Sequence, residues 1–380
     1  MKILFVAVKY SLRVSPTVKY LISFLVEKKI GCILVADKDG ILREPIPGLS
    51  TKRLTNSLID SIQLMLGKSG RANRFPFRHL LELLFALDAL KRRAQVAFYA
   101  RQCRFVFCVE AQALVLAHRS SVPQSRIIYM SMELESQLGL LGANPRDILQ
   151  KCLFCTIQSQ ERRNDLEEFV GGALDCMYLP VSLRPRQINT RNSESEEVLL
   201  VHSGYFSKWA CLTELVDSFT SLEAQDCRLY LQGHSMGTEE YLELVSNRAV
   251  ANDRITIDTG YYGDEPHHAL LCRHHIGVAV YLDDGTPNWQ NLVFSSGKIA
   301  AYLWAGLPII TNIRHELTKS EPFLYVENMT NVTLEHAISN YRRSPALYHA
   351  SAYRLAESHY NLDVHAQKIL DRLCLEGCPQ

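Results

Sequence analysis

Residues 276–312 read IGVAVYLDDGTPNWQNLVFSSGKIAAYLWAGLPIITN, and this stretch decides the fold. The run 276–282 is short, apolar and rich in β-branched residues, the composition of a buried strand. Asp283, Asp284 and Gly285, followed by Pro287 and Asn288, break it and predict a polar loop. Ser295 and Ser296 stand where a helix N-cap belongs, ahead of a helix predicted over 297–305. Gly306 supplies the stop and Pro308 lies just beyond it. Residues 309–311 then read as a second buried strand. Strand, loop, capped helix, glycine turn and strand make a βαβ unit, whose helix N-terminus lies on the ligand side of a parallel sheet. First-turn N–H groups there, with Lys298 beside them, suit a diphosphate.

The rest of the chain repeats this alternation. Strands are predicted at 2–8, 32–36, 105–109, 126–130, 153–158 and 177–180, with helices over 17–28 and 111–117 between them. Residues 183–196 (LRPRQINTRNSESE) are polar and aperiodic and read as a linker. A second alternation follows: strand 197–202, loop 203–208, helix 210–222, strands 228–233 and 254–259, then the opening stretch and two closing helices over 348–359 and 364–375. The length of 380 residues fits two ordinary domains.

Composition narrows the function. Hydrophobic residues make up 47% and charged residues 21%, which permits sizeable cores. A net charge of +1 gives no overall pull toward nucleic acid. No apolar run approaches the ~18 residues of a membrane span. Met1 to Tyr10 is broken too early by Lys9 to be a signal peptide. The eleven cysteines stand at irregular spacing, mostly in apolar surroundings, and read as reduced core residues of a cytosolic protein. Cys152 and Cys155 form a lone CxxC without the second pair a zinc site needs. His267, His268, His274 and His275 have no carboxylate between the pairs and read as surface or capping histidines rather than metal ligands.

Residues 67–104 carry nine Lys or Arg against Glu82 and Asp88. Within them, the helix predicted from Arg78 to Arg93 (RHLLELLFALDALKRR) sets Leu80, Leu83, Leu84, Leu87 and Leu90 on one face. Such a helix either packs that face into a core or docks on an anionic membrane surface. Aromatics suited to stacking bases are few, which argues against nucleic acid.

The motif from Ser296 to Ile310, SGKIAAYLWAGLPII, resembles the nucleotide-sugar signature of GT-B glycosyltransferases, family 4-like. That signature has a serine or proline, a lysine, a glutamate before an aromatic, alanine-glycine, and proline before two β-branched residues. The glutamate position holds Ala301, and the position seven before it, often a second glutamate, holds Phe294. Gly204 and Lys208 resemble the loop that meets the donor diphosphate, with Tyr205 in place of an arginine. Gly260 and Tyr261 match the position that grips the nucleotide base. Glu133 keeps a cleft carboxylate where Met132 replaces the usual histidine. Arg13 matches the arginine of the first loop, and Ile157, Gln158, Ser159 and Glu161 resemble the step into the last N-domain helix.

The resemblance implies an α/β protein of GT-B fold: two Rossmann-like domains with a central cleft. Residues 1–182 would bind the acceptor, 183–196 link, 197–355 bind the nucleotide sugar, and 356–380 form a C-terminal helix crossing back. It implies a metal-independent, cofactor-free transfer of a sugar from a nucleotide-diphospho-sugar to a glycan or lipid-linked acceptor, with retention of configuration. Glu133, Lys208 and Lys298 would be catalytic. Arg13, Gly204, Tyr205, Tyr261, Ser295, Ser296, Gly297 and Tyr302 would bind substrate. The protein would be cytoplasmic, or peripheral at the inner membrane face. Two alternatives stand beside this: a sugar-nucleotide-binding partner subunit without catalysis, favoured by Ala301, Phe294, Met132 and Tyr205, and a GT-B nucleotide-sugar epimerase.

Overall fold

The computed structural model describes residues 1–8, 12, 15–37, 42, 44–54, 77–132, 145–186, 197–235, 239–283, 285 and 287–376. The chain divides into two compact units, Met1–Pro180 with Leu362–Gln380, and Val181–Asn361.

The first unit is built on β1 (Lys2–Ala7), β2 (Gly31–Ala36), β3 (Ser50–Arg53), β4 (Phe105–Val109), β5 (Ile127–Met130), β6 (Phe154–Ile157) and β7 (Cys176–Tyr178). They pair in parallel in the order β3-β2-β1-β4-β5-β6-β7. Helices cover a parallel sheet on both faces, so its central strands read as unbroken apolar runs. All five residues of β4 are buried. The edge strand β3, Ser-Thr-Lys-Arg, is mostly exposed, and its polarity kept it out of the sequence reading. The helices are α1 (Pro16–Glu27), α2 (Phe77–Arg101), α3 (Glu110–Arg119), α4 (Pro145–Leu149) and α5 (Gln160–Val170). Ser159 caps α5, its Oγ accepting from the Arg162 N–H at 3.2 Å.

Among the described residues of the α2 leucine stripe, Leu84 is half-buried and the others face solvent. Leu83, Leu87 and Leu90 are 57, 52 and 58% exposed, and Phe98 is 59% exposed. Among the described residues of α2, Asp88, Val96 and Ala100 are the buried positions. Asp88 is matched by Arg92 Nε at 2.6 Å.

The second unit repeats the design with β8 (Val198–Phe206), β9 (Cys227–Ser235), β10 (Ile255–Asp258), β11 (Ile276–Ala279), β12 (Ile309–Thr311) and β13 (Phe323–Tyr325). The order β10-β9-β8-β11-β12-β13 is the doubly wound 3-2-1-4-5-6 arrangement. Around it lie α6 (Leu212–Thr220), α7 (Glu239–Ala249), α8 (Asp264–Leu271), α9 (Pro287–Ser295), α10 (Gly297–Trp304), α11 (Asn331–Arg343) and α12 (Pro345–His359). The last helix, α13 (Leu362–Leu375), belongs to the first unit, where Arg372 meets Asp175 at 2.8 Å. Leu183, read as the start of the linker, bridges to Asn361 within the second unit; residues 187–196 lie outside the described residues.

Two expectations for the second unit are corrected. The segment after β11 is not all loop: α9 begins at Pro287, a residue that suits the first turn of a helix because the missing N–H would be unpaired there. Residues 203–206 are not loop either, since β8 continues through them in register with β9. Gly204 and Gly233 face each other in that extension, and a Cβ on Gly233 would stand 1.6 Å from the Gly204 carbonyl oxygen. The described cysteines are free thiols.

Candidate functional site

Ligands of doubly wound sheets bind outside the strands' C-terminal ends, where the strand order reverses. In the second unit that point lies between β8 and β11, and the sequence places α10 next to it. Ser296, not Ser295, is the N-cap: its Oγ accepts from the Ile299 N–H at 3.4 Å. Ser295 ends α9, and its hydroxyl donates to the Asn291 carbonyl at 2.9 Å. At the other end of α10, Gly306 takes φ of 66°. The Leu307 N–H reaches back to the Tyr302 carbonyl at 2.8 Å, the Schellman closure. The helix is therefore held at both ends by local chemistry, with Gly297 and Lys298 in its first turn.

Tyr281 organises the neighbourhood. Asn312 grips its main chain twice, Oδ1 accepting from its N–H at 3.0 Å and Nδ2 donating to its carbonyl at 2.7 Å. The Tyr281 hydroxyl lies 2.9 Å from Ser296 Oγ, and Lys298 Nζ sits 5.1 Å from the ring centroid. Trp209 packs on the same ring at 4.7 Å, and the Trp209 carbonyl accepts from the Leu282 N–H at 2.9 Å. Tyr281 thus brings together the turn that carries Lys208 and the turn that carries Lys298. Lys208 is exposed and Lys298 half-buried. Lys298 Nζ also lies 3.3 Å from His202 Nε2, a contact between residues 96 apart that no local pattern announces.

At the strand end Gly204 has φ of 154°, a region that favours glycine, and a Cβ there would stand 3.0 Å from Lys298 Cε. Tyr205 lies edge-on to His234 at 4.9 Å, and His234 to Tyr261 at 6.5 Å. Tyr261 is 59% exposed. These rings form an aromatic row at the C-terminal ends of β8 and β9 and just past β10. His234 was not singled out from sequence, since one polar residue at a strand end carries no pattern.

Tyr302 is a correction. It is wholly buried, so it offers no surface to a ligand. Its hydroxyl accepts from the Ser203 N–H at 2.7 Å, and its ring fills the space left by Gly277, where a Cβ would stand 2.4 Å away. Arg13 and Glu133 lie outside the described residues.

The paired histidines are corrected too. His274 is buried, and its Nδ1 lies 2.9 Å from the Leu270 carbonyl. His275 Nδ1 accepts from the Leu199 N–H at 2.9 Å. His267 Nε2 lies 2.7 Å from Ser203 Oγ. That pair resembles a nucleophile and its base, but the proton directions forbid it. Gln232 Nε2 donates to the Gly260 carbonyl at 2.8 Å, so its Oε1 accepts from Ser203 Oγ at 2.6 Å. The serine proton is committed to glutamine, and His267 must be the donor to Ser203. Burial and then the nearby Arg186 hold the His267 ring down to about 4, so this neutral donor role persists at ordinary pH. The network instead fixes the backbone ahead of Tyr261, with Asp258 Oδ1 accepting from the Gly260 N–H at 2.7 Å.

No protein-family model and no curated protein sequence matches the chain. Solved structures do. HepE of Anabaena in complex with UDP and glucose superposes with a TM-score of 0.69 at 14% identity, covering 98% of this chain and 99% of that one. A UDP-forming α,α-trehalose-phosphate synthase from Burkholderia xenovorans superposes with a TM-score of 0.67 at 15% identity, over 100% of both chains. AviGT4, a glycosyltransferase involved in avilamycin A biosynthesis, gives 0.58 at 14% identity, over 100% of this chain and 99% of that one. The fold is therefore that of the GT-B glycosyltransferases, two Rossmann-like units each built on its own parallel sheet.

Proposed function

We propose that this protein is a glycosyltransferase that takes its sugar from a nucleotide-diphospho-sugar, with the donor bound by the second unit and a glycan or lipid-linked acceptor by the first. The observation that carries the reading is Lys298, half-buried in the first turn of a capped helix at the switch point, in a fold it shares with UDP-bound HepE. The difficult step of such a transfer is departure of the nucleoside diphosphate, which gathers charge on the β-phosphate. Lys208, the N–H groups of the α10 first turn and, in its protonated form, Lys298 supply positive charge where that happens, as an oxyanion hole does. In this reading the cation and amides do the work without a resident cofactor or metal. Tyr205 and Tyr261 line the side on which the base and sugar would lie.

The test is thermal stabilisation by UDP, ADP, GDP and dTDP and by their glucose conjugates. A ligand at a hundred times its dissociation constant should stabilise by about 2.7 kcal/mol. A melting curve unmoved by every member of the panel would remove the assignment. A second reading, a sugar-nucleotide-binding subunit without transfer, is favoured by Ala301, which stands in the glutamate position and packs against an apolar cluster. Release of free glucose from a bound donor separates the two, since a transferase leaks sugar to water and a pure binder does not.

Peripheral membrane association belongs to the same proposal. Among the described residues no helix is long and apolar enough to cross a membrane. The exposed stripe of Leu83, Leu87, Leu90 and Phe98 on α2, flanked by exposed Lys91 and Arg101, has the form of a helix lying in an anionic interface. Vesicle co-sedimentation should show recovery with phosphatidylglycerol vesicles well above that with neutral phosphatidylcholine. Each leucine fully buried in lipid is worth roughly 1.5–3 kcal/mol, so Leu87→Ser with Leu90→Ser should lower binding at least tenfold. Lys91→Glu should weaken it further; Arg92 is left intact because it holds Asp88. Equal recovery on the two lipids would end the membrane reading.

A further inference from the structure

A nucleotide-diphospho-sugar carries its diphosphate in the middle, with the nucleoside on one side and the hexose on the other. In the site proposed above, the diphosphate lies beside Lys298, where the strand order reverses between β8 and β11. The nucleoside, base and ribose together, falls on the side of Tyr205 and Tyr261, toward β9 and β10. That leaves the β11 side for the hexose. Trp209 stands there, one residue after Lys208. Its indole packs on the ring of Tyr281, with centroids 4.7 Å apart, and the Lys298 amine lies 5.1 Å from the centroid of the same ring. Indole and amine thus share one tyrosine ring as a neighbour.

Main-chain bonds fix the turn that carries Trp209. The Ala210 N–H donates to the Ser207 carbonyl at 3.0 Å, and the Cys211 N–H to the Lys208 carbonyl at 3.1 Å. The Trp209 carbonyl accepts from the Leu282 N–H at 2.9 Å, which ties the turn to the end of β11. Cys211 closes the turn with φ of 47°, a conformation that a non-glycine residue holds only where its surroundings impose it. Ala210 is buried, whereas the Trp209 side chain is left 37% exposed. The other two tryptophans, Trp289 and Trp304, are buried. A lone apolar side chain on a surface is ordinary. An indole displayed by a rigid turn, at the switch point and between two lysines in contact with one tyrosine, is a surface shaped for a ligand.

A hexopyranose matches that surface. Its hydroxyls lie mostly around the rim of the ring, which leaves C–H bonds on the two faces. The negative face of an indole attracts such polarised C–H bonds, and both surfaces leave water when they meet. A nucleobase also stacks on rings, but it has the Tyr205 and Tyr261 row on the other side of the diphosphate. We infer that Trp209 is a specificity-determining residue for the donor: its exposed indole is the platform on which the hexose of the nucleotide sugar lies, so that the hexose contributes to binding along with the nucleotide. The inference rests on the reading of this site as a nucleoside-diphosphate site.

The experiment compares UDP, ADP, GDP and dTDP with UDP-glucose, UDP-N-acetylglucosamine, ADP-glucose, GDP-mannose and dTDP-glucose. Because Trp289 and Trp304 are buried, acrylamide quenching of the native protein's tryptophan fluorescence reports chiefly on Trp209. A conjugate that binds should shield the indole from acrylamide, and its nucleoside diphosphate alone should not. Calorimetry adds the variants. Trp209→Ala should bind the conjugate about tenfold more weakly, the worth of one covered face of the ring, and bind the nucleoside diphosphate as the wild type does. Trp209→Phe keeps an aromatic face and should stay within about threefold of the wild type for the conjugate. A conjugate that binds without shielding the indole overturns the inference, as does equal shielding by the nucleoside diphosphate alone. So does a folded Trp209→Ala that loses affinity equally for both ligands or for neither. Each of these leaves the nucleotide reading intact, whereas no binding of any probe overturns both. The quenching measurement uses the wild type and stands even where a variant does not fold.

Discussion

Lys298→Met is expected to lose tenfold to a hundredfold in affinity for the nucleotide sugar at pH 6–7, while melting no lower than the wild type. The loss follows from the bond removed: a charge-assisted hydrogen bond to phosphate is worth about 1.5–3 kcal/mol. The retained stability follows from the surroundings. The amine lies among the His202 ring, the face of Tyr281 and the space of Gly204, with no ion pair to break among the described residues. Methionine keeps the length of the chain and removes a group whose charging is costly in such a place. The sign with pH can be stated. An amine that is held near 7 when folded and titrates near 10.5 when unfolded binds fewer protons in the native state between those values. Native stability therefore rises with pH across that window in the wild type, and Lys298→Met should flatten the rise. Lys208→Met should lose less affinity than Lys298→Met, because Lys208 is an exposed side chain. Calorimetry and melting curves on both variants check this. Undiminished affinity in Lys298→Met would remove the diphosphate site from α10.

Gly233→Ala should be the most damaging single methyl in the second unit. Its Cβ would lie 1.6 Å from the Gly204 carbonyl oxygen and 2.8 Å from the Gly204 carbonyl carbon, both main-chain atoms that no rotamer change can move. The position also has φ of 155°, in the region that glycine tolerates and other residues avoid. Relief requires β8 and β9 to part at the Gly204–Gly233 pair, which shifts the floor beneath Lys298. A loss on the order of 3 kcal/mol or more is expected, with nucleotide affinity falling in whatever protein stays folded. Gly171→Ala is the control. Gly171 also has positive φ, 72°, but a Cβ there meets nothing within 4 Å, so the cost should be the backbone strain alone, about 1 kcal/mol. Urea unfolding of both variants gives the comparison. A Gly233→Ala loss no larger than that of Gly171→Ala would contradict the close approach of the two strands.

What was legible in the sequence was what is decided within a few residues. The Ser296 cap, the α10 helix, the Gly306 turn and the strand after it were read from a serine, an apolar period, a glycine and a proline, because those interactions span no more than a helical turn. The β-branched runs announced a parallel sheet for the same kind of reason, since burial on both faces demands apolar residues at every position. Where a local signal misleads, the cause is local as well: a proline suits both a strand break and a helix start, and Pro287 is a helix start. The tertiary structure decided which side of a pattern is covered and which distant residues meet. The α2 stripe was visible as a stripe, but periodicity cannot say whether a face meets core or solvent, and α2 buries Asp88, Val96 and Ala100 instead. Tyr302 has the look of a ligand residue beside Lys298, yet its ring is received by Gly277, on β11. His202 looked like one polar residue ending an apolar strand. It meets Lys298 only because β8 and β11 are neighbours and α10 packs where the strand order reverses. Hydrogen-bond geometry and side-chain period act over three or four residues and are written in order along the chain. An encounter across 96 residues depends on strand order and helix packing, which the whole fold settles at once.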